Sequence, residues 1–319
     1  MKGKDGKYDV ISNSEDSRIL VIFPGALGDL ICLGPTLDAI FGRHPGHHLE
    51  LMARSELAKF ACGRMRTARA HSIDRLEMSA LFRHDGKIGA ARQFFSRFAR
   101  IYSFFASDDS RYRRALTEAS NGHASFHPFR PPADGHVAMA YLRSIDAADA
   151  VGRYRLDLLD DDLRDASSIL GDHGLTAGRF LLILPGSGSS PKNWPAHKFA
   201  ALARGISGRM RVLIVIGPAE ESLENEFAPR DFLTLKSPPL GTLAAIARMS
   251  SAFVGNDSGV SHLAAAAGAR GVVLFGPTDS SRWRPLGDVQ TIHEQPIETI
   301  AVIEVGSTLH RLLETQSLP

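Results

Sequence analysis

From Phe253 to Pro277 the chain reads F-V-G-N-D-S-G-V-S-H-L-A-A-A-A-G-A-R-G-V-V-L-F-G-P, a short apolar run, a polar turn, an alanine-rich segment and a second apolar run. A strand apolar along its whole length must be covered on both faces, and strands joined through helices lie parallel. The stretch therefore reads as strand, helix, strand in a buried parallel sheet. At its turn, Asp257 and Ser258 are both suited to cap the helix, and Gly259 lets the backbone approach a ligand. The first free N–H groups of the helix then face what lies in front, a setting that favours phosphate or another anion. Asp-Ser-Gly is equally good chemistry for an ordinary strand-to-helix connection, so the turn alone does not decide.

Similar junctions recur. Arg18 to Phe23 is a first strand, P-G-A-L-G-D its turn and Leu30 to Phe41 a helix; His48 to Ala53 is a strand followed by a helix from about Ser55. Asp85 to Ala119 reads as mostly helical and His136 to Ile145 as a further helix. The strand pattern restarts at Phe180 to Leu184, with the loop P-G-S-G-S-S-P-K-N-W-P and a helix from Ala196 to Gly205. Arg211 to Ile216, Ala252 to Gly255 and Gly271 to Phe275 are strands, with a helix from Gly241 to Met249 between the first two. Two series of this kind predict two doubly wound α/β domains. The acidic, helix-forming stretch between Arg153 and Gly178 is the expected boundary. The division is then a leader over residues 1–17, a first domain over 18–155, a second over 156–297 and a C-terminal helix and tail over 298–319. In such sheets ligands bind beyond the carboxyl ends of the strands. The loops at 24–29, 185–195, 217–221 and 256–262 therefore point to a cleft between the domains.

A chain of 319 residues exceeds a usual single core, and 44% hydrophobic with 23% charged residues is a globular composition. Its two cysteines, Cys32 and Cys62, make neither a disulfide framework nor a four-ligand zinc site and read as small buried residues. The first 17 residues lack the apolar centre of a signal peptide, and no apolar run is long enough for a membrane span. A cytoplasmic protein is the expectation.

The net charge of +2 is unevenly placed. Up to Arg155 there are 23 Lys and Arg against 17 Asp and Glu, and beyond it 14 against 18. Much of the excess lies between Arg64 and Arg114, interleaved with Phe82, Phe94, Phe95, Phe98, Tyr102, Phe104 and Phe105. This pattern fits an anionic membrane surface or a phosphorylated acceptor, and equally an amphipathic helix with a solvated basic face. No nucleic-acid reading motif accompanies it, and nucleic acid is not an expected partner.

Taken in order, R-I-L-V-I-F-P-G-A-L-G-D, L-P-G-S-G-S-S-P-K-N-W-P, V-I-G-P-A-E, G-N-D-S-G-V-S-H-L-A-A-A-A-G and L-F-G-P-T-D resemble glycosyltransferase family 9, the ADP-heptose:lipopolysaccharide heptosyltransferases. The resemblance extends over most of the chain and is weakest in the middle of the first domain. It implies the GT-B fold, two facing Rossmann-like domains with the site between them. Phe23-Pro24 departs from the family, where an arginine is common before G-A-L-G-D.

Glycosyl transfer needs a base for the acceptor hydroxyl, stabilisation of a departing diphosphate and a pocket for the nucleoside. Asp29, held between Gly25 and Gly28 at a strand–loop–helix tip, matches the family's catalytic base; a helix N-cap is the compatible alternative. Lys192 matches the lysine that reaches the donor phosphates, with Gly186 and Gly188 allowing close approach and Ser187 offering a hydroxyl. The spacing is neither a complete dinucleotide fingerprint nor a P-loop. Trp194-Pro195 is assigned to structure. Glu220 matches the acid that contacts the ribose, with Glu221 as the competing candidate and helix capping as the alternative for both. The resemblance further implies donor contacts from Asp257, with N–H groups of Ser258, Gly259 and Val260 on phosphate, and His262 helping to neutralise the leaving group. A core histidine is the alternative there. Asp257, Ser258 and His262 lack the spatial order of a hydrolase triad.

The thirteen histidines show no metal-ligand spacing, and metal-independent chemistry without a cofactor is expected. The sequence thus reads as an inverting GT-B transferase moving a heptose, from ADP-heptose, onto a lipid-linked lipopolysaccharide-core or related glycan. Its basic-aromatic segment would meet the acceptor at the inner face of the membrane. The alternatives are another ADP-, GDP- or UDP-sugar as donor, or a nucleotide-sugar-binding protein without turnover.

Overall fold

The computed structural model describes residues 17–83, 88–132, 135–147, 152–218, 226–227 and 232–314. The first half runs β1 (Arg18–Ile22), α1 (Leu27–Arg43), β2 (His48–Ala53), α2 (Ser55–Ala61), β3 (Arg69–Ser72), α3 (Leu76–Ala80), α4 (Gly89–Phe95), β4 (Arg100–Ser103), α5 (Ser110–Ala119), β5 (Ala124–Phe126) and α6 (Val137–Ser144). The second runs α7 (Asp160–Asp172), β6 (Phe180–Leu184), α8 (Ala196–Ser207), β7 (Arg211–Ile216), β8 (Leu233–Lys236), α9 (Leu240–Met249), β9 (Ala252–Asn256), α10 (Gly259–Ala266), β10 (Gly271–Phe275), α11 (Ser280–Trp283), β11 (Val289–His293) and α12 (Val302–Glu314).

Two sheets result, in the orders β3-β2-β1-β4-β5 and β11-β10-β9-β6-β7-β8. Every pairing in both is parallel. Continuous apolar strands take the middle: β6, β9 and β10 are buried at every residue and β1 at all but its first. Such strands lose no exposed face when helices cover both sides.

The strands that the sequence reading missed are short or polar. R-A-H-S, A-S-F, L-T-L-K and V-Q-T-I-H form the edge strands β3, β5, β8 and β11, each with at most two fully buried residues. The mostly helical expectation for Asp85 to Ala119 is corrected by β4, four residues that pair directly with β1. Phe94, Phe95 and Phe98 carry a helical spacing up to its edge, and R-I-Y-S is too short to interrupt it. α1 also begins at Leu27, three residues before the expected start, because the turn after β1 needs only four residues.

The basic-aromatic segment divides by chemistry. Phe94, Phe95, Phe98, Tyr102 and Phe104 are buried in the cores on either face of the first sheet, whereas Arg92, Arg97 and Arg100 are exposed. Phe82, which is partly exposed and stacks on Tyr112 at 5.3 Å, and half-buried Phe105 are the exceptions. Among the described residues of this segment, arginines such as Arg92, Arg97 and Arg100 face solvent while most of the rings do not.

The two halves share one core. α1 packs on α10, and a single apolar cluster runs from Val21 and Leu33 through Tyr154 to Ala264 and Phe253. The connecting strand of chain is bonded to both sides: Leu156 N–H donates to Ala266 O at 3.0 Å and Asp157 N–H to Arg64 O at 3.0 Å. Arg64 closes the join with a two-pronged contact to Asp162, Nε to Oδ2 at 2.7 Å and Nη2 to Oδ1 at 2.6 Å, both side chains largely shielded. Removing one partner of a buried pair leaves the other charge without compensation. Arg64→Ala is expected to lower stability by about 3 kcal/mol, measured from urea unfolding; an unchanged midpoint would show the pair to be dispensable.

Candidate functional site

The first sheet changes direction between β1 and β4, the second between β6 and β9. In open parallel sheets the crevice for a ligand opens at such a point, beyond the carboxyl ends of the strands. Three segments leave these ends: Phe23 to Ala26 into α1, Pro185 to Pro195 into α8, and Asp257-Ser258 into α10. They carry Lys192 and Asp257, and the first leads to Asp29 in the opening turn of α1.

α1 and α10 meet at their first turns. A Cβ on Gly259 would lie 3.0 Å from Leu27 Cβ and 3.1 Å from Gly28 N, and one on Gly28 would lie 3.3 Å from the His262 ring. Only residues without a side chain let the two backbones come this close. The consequence is electrostatic: two positive helix ends, each with free N–H groups, converge on one place.

Ser258 caps α10. Its Oγ accepts from Ser261 N–H at 3.2 Å and donates to Ser261 Oγ, which donates to Asn256 O at 2.7 Å. Asp257 does not cap. Its carboxylate, 6% exposed, accepts from Lys192 Nζ at 2.8 Å. Lys192 reaches it from a short 3-10 turn, Ser190–Lys192, whose loop is pinned by fully buried Asn256. The Asn256 side chain accepts from Trp194 N–H at 3.0 Å and donates to Pro185 O at 2.7 Å. Trp194 is buried against Phe199 and donates from Nε1 to Ile300 O at 3.0 Å. The Ser187 hydroxyl donates to Asn193 Oδ1 at 2.6 Å, so its proton is engaged within the loop. Gly188 has φ +69°, a conformation glycine adopts without strain.

Asp29 sits in the first turn of α1, two residues inside the helix rather than at its N-cap. Its Oδ2 accepts from Ala26 N–H at 3.1 Å, which orients the carboxylate, and its Oδ1 lies 3.4 Å from Arg130 Nη1. A Cβ on Gly25 would lie 2.7 Å from Asp29 Cβ, so the turn requires glycine there too. Lys192, Asp257 and Ser258 are thus grouped at one helix start, and Asp29 with Arg130 at the other.

His262, the remaining candidate, follows in the first turn of α10. It is buried beneath α1, its Nδ1 3.6 Å from Cys32 Sγ and its ring bonded to the backbone of Trp283. Burial depresses its pKa to about 4, against the smaller opposing pull of Asp257. Burial thus favours the neutral ring, in keeping with the alternative of a core histidine. Burial likewise pushes the Cys32 thiol far above its ordinary range, aided by Asp29 and Asp257, so it stays protonated.

A cavity of about 240 Å³ opens in front of α10, lined by Ser187, Gly188, Ser258, Gly259 and Val260 and by apolar Leu184, Val215, Pro238, Leu240 and Leu243. Gly217 and Pro218 also line it. Glu220, and Glu221 with it, lie outside the described residues. A second cavity of about 740 Å³ opens at the carboxyl ends of β1 to β4, lined by Pro24, Ala26, Arg54, Glu56, Asp74 and Phe105. Leu27 lines both. Among the described residues no group of three or more His, Cys, Asp or Glu is arranged to hold a metal, and no helix is long and apolar enough to cross a membrane.

Sequence reasoning missed Asn256, Arg130 and the Ser237-Pro238 rim. Asn256 is visible only as a polar residue ending an apolar strand, and Ser237-Pro238 follows β8, which was not recognised. Arg130 comes from a loop with no periodicity.

Known proteins resemble this chain along its length. The family description that matches is glycosyltransferase family 9 (heptosyltransferase), over residues 138–309, more than half of the chain. Lipopolysaccharide heptosyltransferase 3 of Escherichia coli is 30% identical over 126 residues, 36% of this chain and 36% of that protein. The match thus spans about a third of that relative. A glycosyltransferase family 9 structure from Veillonella parvula superposes with TM-score 0.78 and 17% identity, covering 94% of this chain and 97% of that one. E. coli ADP-heptose lipopolysaccharide heptosyltransferase II follows with TM-score 0.74 and 19% identity, covering 94% and 100%. The fold is GT-B, two Rossmann-like domains facing across a cleft.

The neutral, buried state of His262 makes stability depend on pH. Between its ordinary pKa of 6.5 and its folded value of about 4, the unfolded chain binds a proton that the folded one does not. Stability contributed by the buried ring is therefore whole above pH 6.5 and is lost as pH falls toward 4. Wild type and His262→Gln, compared by urea unfolding at pH 7.5 and pH 5, are expected to show a steeper loss on acidification in wild type; equal slopes would contradict it.

Proposed function

The chain belongs to glycosyltransferase family 9, the heptosyltransferases, and on that premise we propose that it is an inverting, metal-independent glycosyltransferase moving a heptose from ADP-heptose to a lipopolysaccharide-core acceptor. The observation that carries this reading is the meeting of two helix starts with a carboxylate, Asp29, on one and a lysine–aspartate pair, Lys192 and Asp257, at the other. The donor is the one named for the E. coli structural relative.

The nucleoside occupies the smaller cavity, where apolar side chains from β6, β7 and α9 flank a base, and Glu220 follows β7 in the sequence. The diphosphate lies across the start of α10, bonded by the N–H groups of Gly259 and Val260. Lys192 then turns from Asp257 to the phosphate oxygens, and Asp257 is released toward hydroxyls of the sugar. Charge that develops on the departing ADP is met by one ammonium group and two helix ends, which do the work elsewhere given to a divalent cation.

Asp29 takes the proton of the acceptor hydroxyl as its oxygen bonds to the anomeric carbon and the bond to the diphosphate breaks, inverting that centre. The Ala26 N–H fixes one carboxylate oxygen, and the other, 3.4 Å from Arg130 Nη1, takes the proton. His262 braces the packing of α1 on α10 rather than carrying charge. The larger cavity beyond Leu27, at the carboxyl ends of the first sheet, suits the acceptor. Contact with a membrane face would be electrostatic, through exposed arginines such as Arg92, Arg97 and Arg100.

Calorimetric titration with ADP, GDP and UDP in the absence of metal is expected to show selective ADP binding, weakened about tenfold or more by Lys192→Ala. Asp29→Asn is expected to keep ADP affinity and to lower transfer by about 10²–10⁴-fold. Absence of nucleotide binding, or an active Asp29→Asn variant, would overturn the reading.

A further inference from the structure

Arg130 faces Asp29 from a loop of the first half, and what holds that loop comes from the second. Arg282, in the short helix α11 after β10, donates from Nη2 to Pro131 O at 2.9 Å and from Nη1 to Pro132 O at 3.0 Å. Its neighbour reinforces the contact: the carbonyl of Arg284 is 2.8 Å from His136 Nε2. On the other flank of Arg130, the Phe129 ring packs edge-on to Phe23 at 5.5 Å, and Tyr141 Oη donates to Phe129 O at 3.2 Å. Arg130 is thus an exposed side chain between two anchored neighbours, its guanidinium 4.2 Å above the Phe129 ring and 3.4 Å from Asp29.

A flexible arginine on an unheld loop would visit Asp29 only part of the time. Here the fork of Arg282 fixes the backbone on one side of it and aromatic packing fixes the other, so the guanidinium is delivered to the carboxylate. The planar guanidinium spans two successive carbonyls, which a lysine ammonium does not match.

We propose that Arg282 is a positioning residue for the transfer reaction: by clamping Pro131 and Pro132 across the junction of the two halves, it sets Arg130 beside Asp29 and couples the donor-side half to the base. The inference rests on the reading of Asp29 as base, and acts through Arg130, not through contact with the donor. The same clamp ties the geometry at Asp29 to the relative placement of α11 and the 127–132 loop.

Two measurements test it. Amide hydrogen exchange of Arg282→Ala, which needs no substrate, is expected to show faster exchange at His127, Phe129 and Arg130, the amides of 127–132 outside its three prolines, with β1 and β9 unchanged. Steady-state transfer from ADP-heptose to a core-truncated lipopolysaccharide is expected to fall about tenfold in kcat in Arg282→Ala and in Arg130→Ala, with KM for ADP-heptose within about twofold. The double variant should be no worse than the poorer single one, and Arg282→Lys should recover part of the loss. Unchanged exchange in 127–132, or losses that multiply in the double variant, would overturn the proposal. An active Asp29→Asn variant would instead sink the base assignment, and the exchange result would still decide the clamp.

Discussion

Two glycines meeting at the starts of two helices set the terms for the rest of this molecule. Gly28 and Gly259 belong to helices of different halves, yet a Cβ on Gly259 would come within 3.1 Å of the Gly28 nitrogen. Each helix begins at the point where its own sheet changes direction, so the contact joins two crevices into one. The buried cluster shared by both halves, the Arg64–Asp162 pair and the Arg282 clamp hold that contact in register. They do not create it. The alternation of apolar strand, short turn and helix does, because it carries the first turn of each helix to the same end of its sheet.

The electrostatics follow from that geometry. Two positive helix ends facing one cleft are poorly compensated without an anion, and the described side chains supply few permanent charges to offset them. Asp257 is held by Lys192 and Asp29 lies beside Arg130, so each carboxylate has a cation at hand. His262, which by sequence position belongs to this cluster, is buried, and burial favours its neutral ring. A bound diphosphate would exchange partners with Lys192 and leave the carboxylates to act on hydroxyls. Such an arrangement gives transfer chemistry its cationic surface from backbone and one lysine.

Much of the fold was legible in residue order. R-I-L-V-I, F-L-L-I-L, R-V-L-I-V-I and G-V-V-L-F announce themselves as strands by continuous apolar character, and the polar residues that end them mark the crevice. What was not legible is what single-strand patterns do not encode. R-I-Y-S becomes the neighbour of β1 only because α4 and α5 deliver it there, and V-Q-T-I-H becomes a strand only because β10 offers an edge. The same holds for the site. Asp29, Lys192 and Asp257 stand out as charged residues at strand ends, whereas the pairing of Lys192 with Asp257, the neutral state of His262 and the reach of Arg130 to Asp29 depend on contacts 65 or more residues apart or on burial. Glu220 lies outside the described residues, and its part in the site rests on its place after β7.

The claim that the donor site is made by the contact of the two helix starts is tested most directly by the ADP affinity of Gly259→Ala. One added methyl would press on Leu27 Cβ at 3.0 Å and on Gly28 N at 3.1 Å, parting the helix ends without removing any charged or hydrogen-bonding side chain. In a variant shown to be folded by circular dichroism, the account predicts ADP affinity lower by about tenfold or more. Affinity equal to that of wild type would mean that the donor is bound without this contact, and the account would be wrong at its centre.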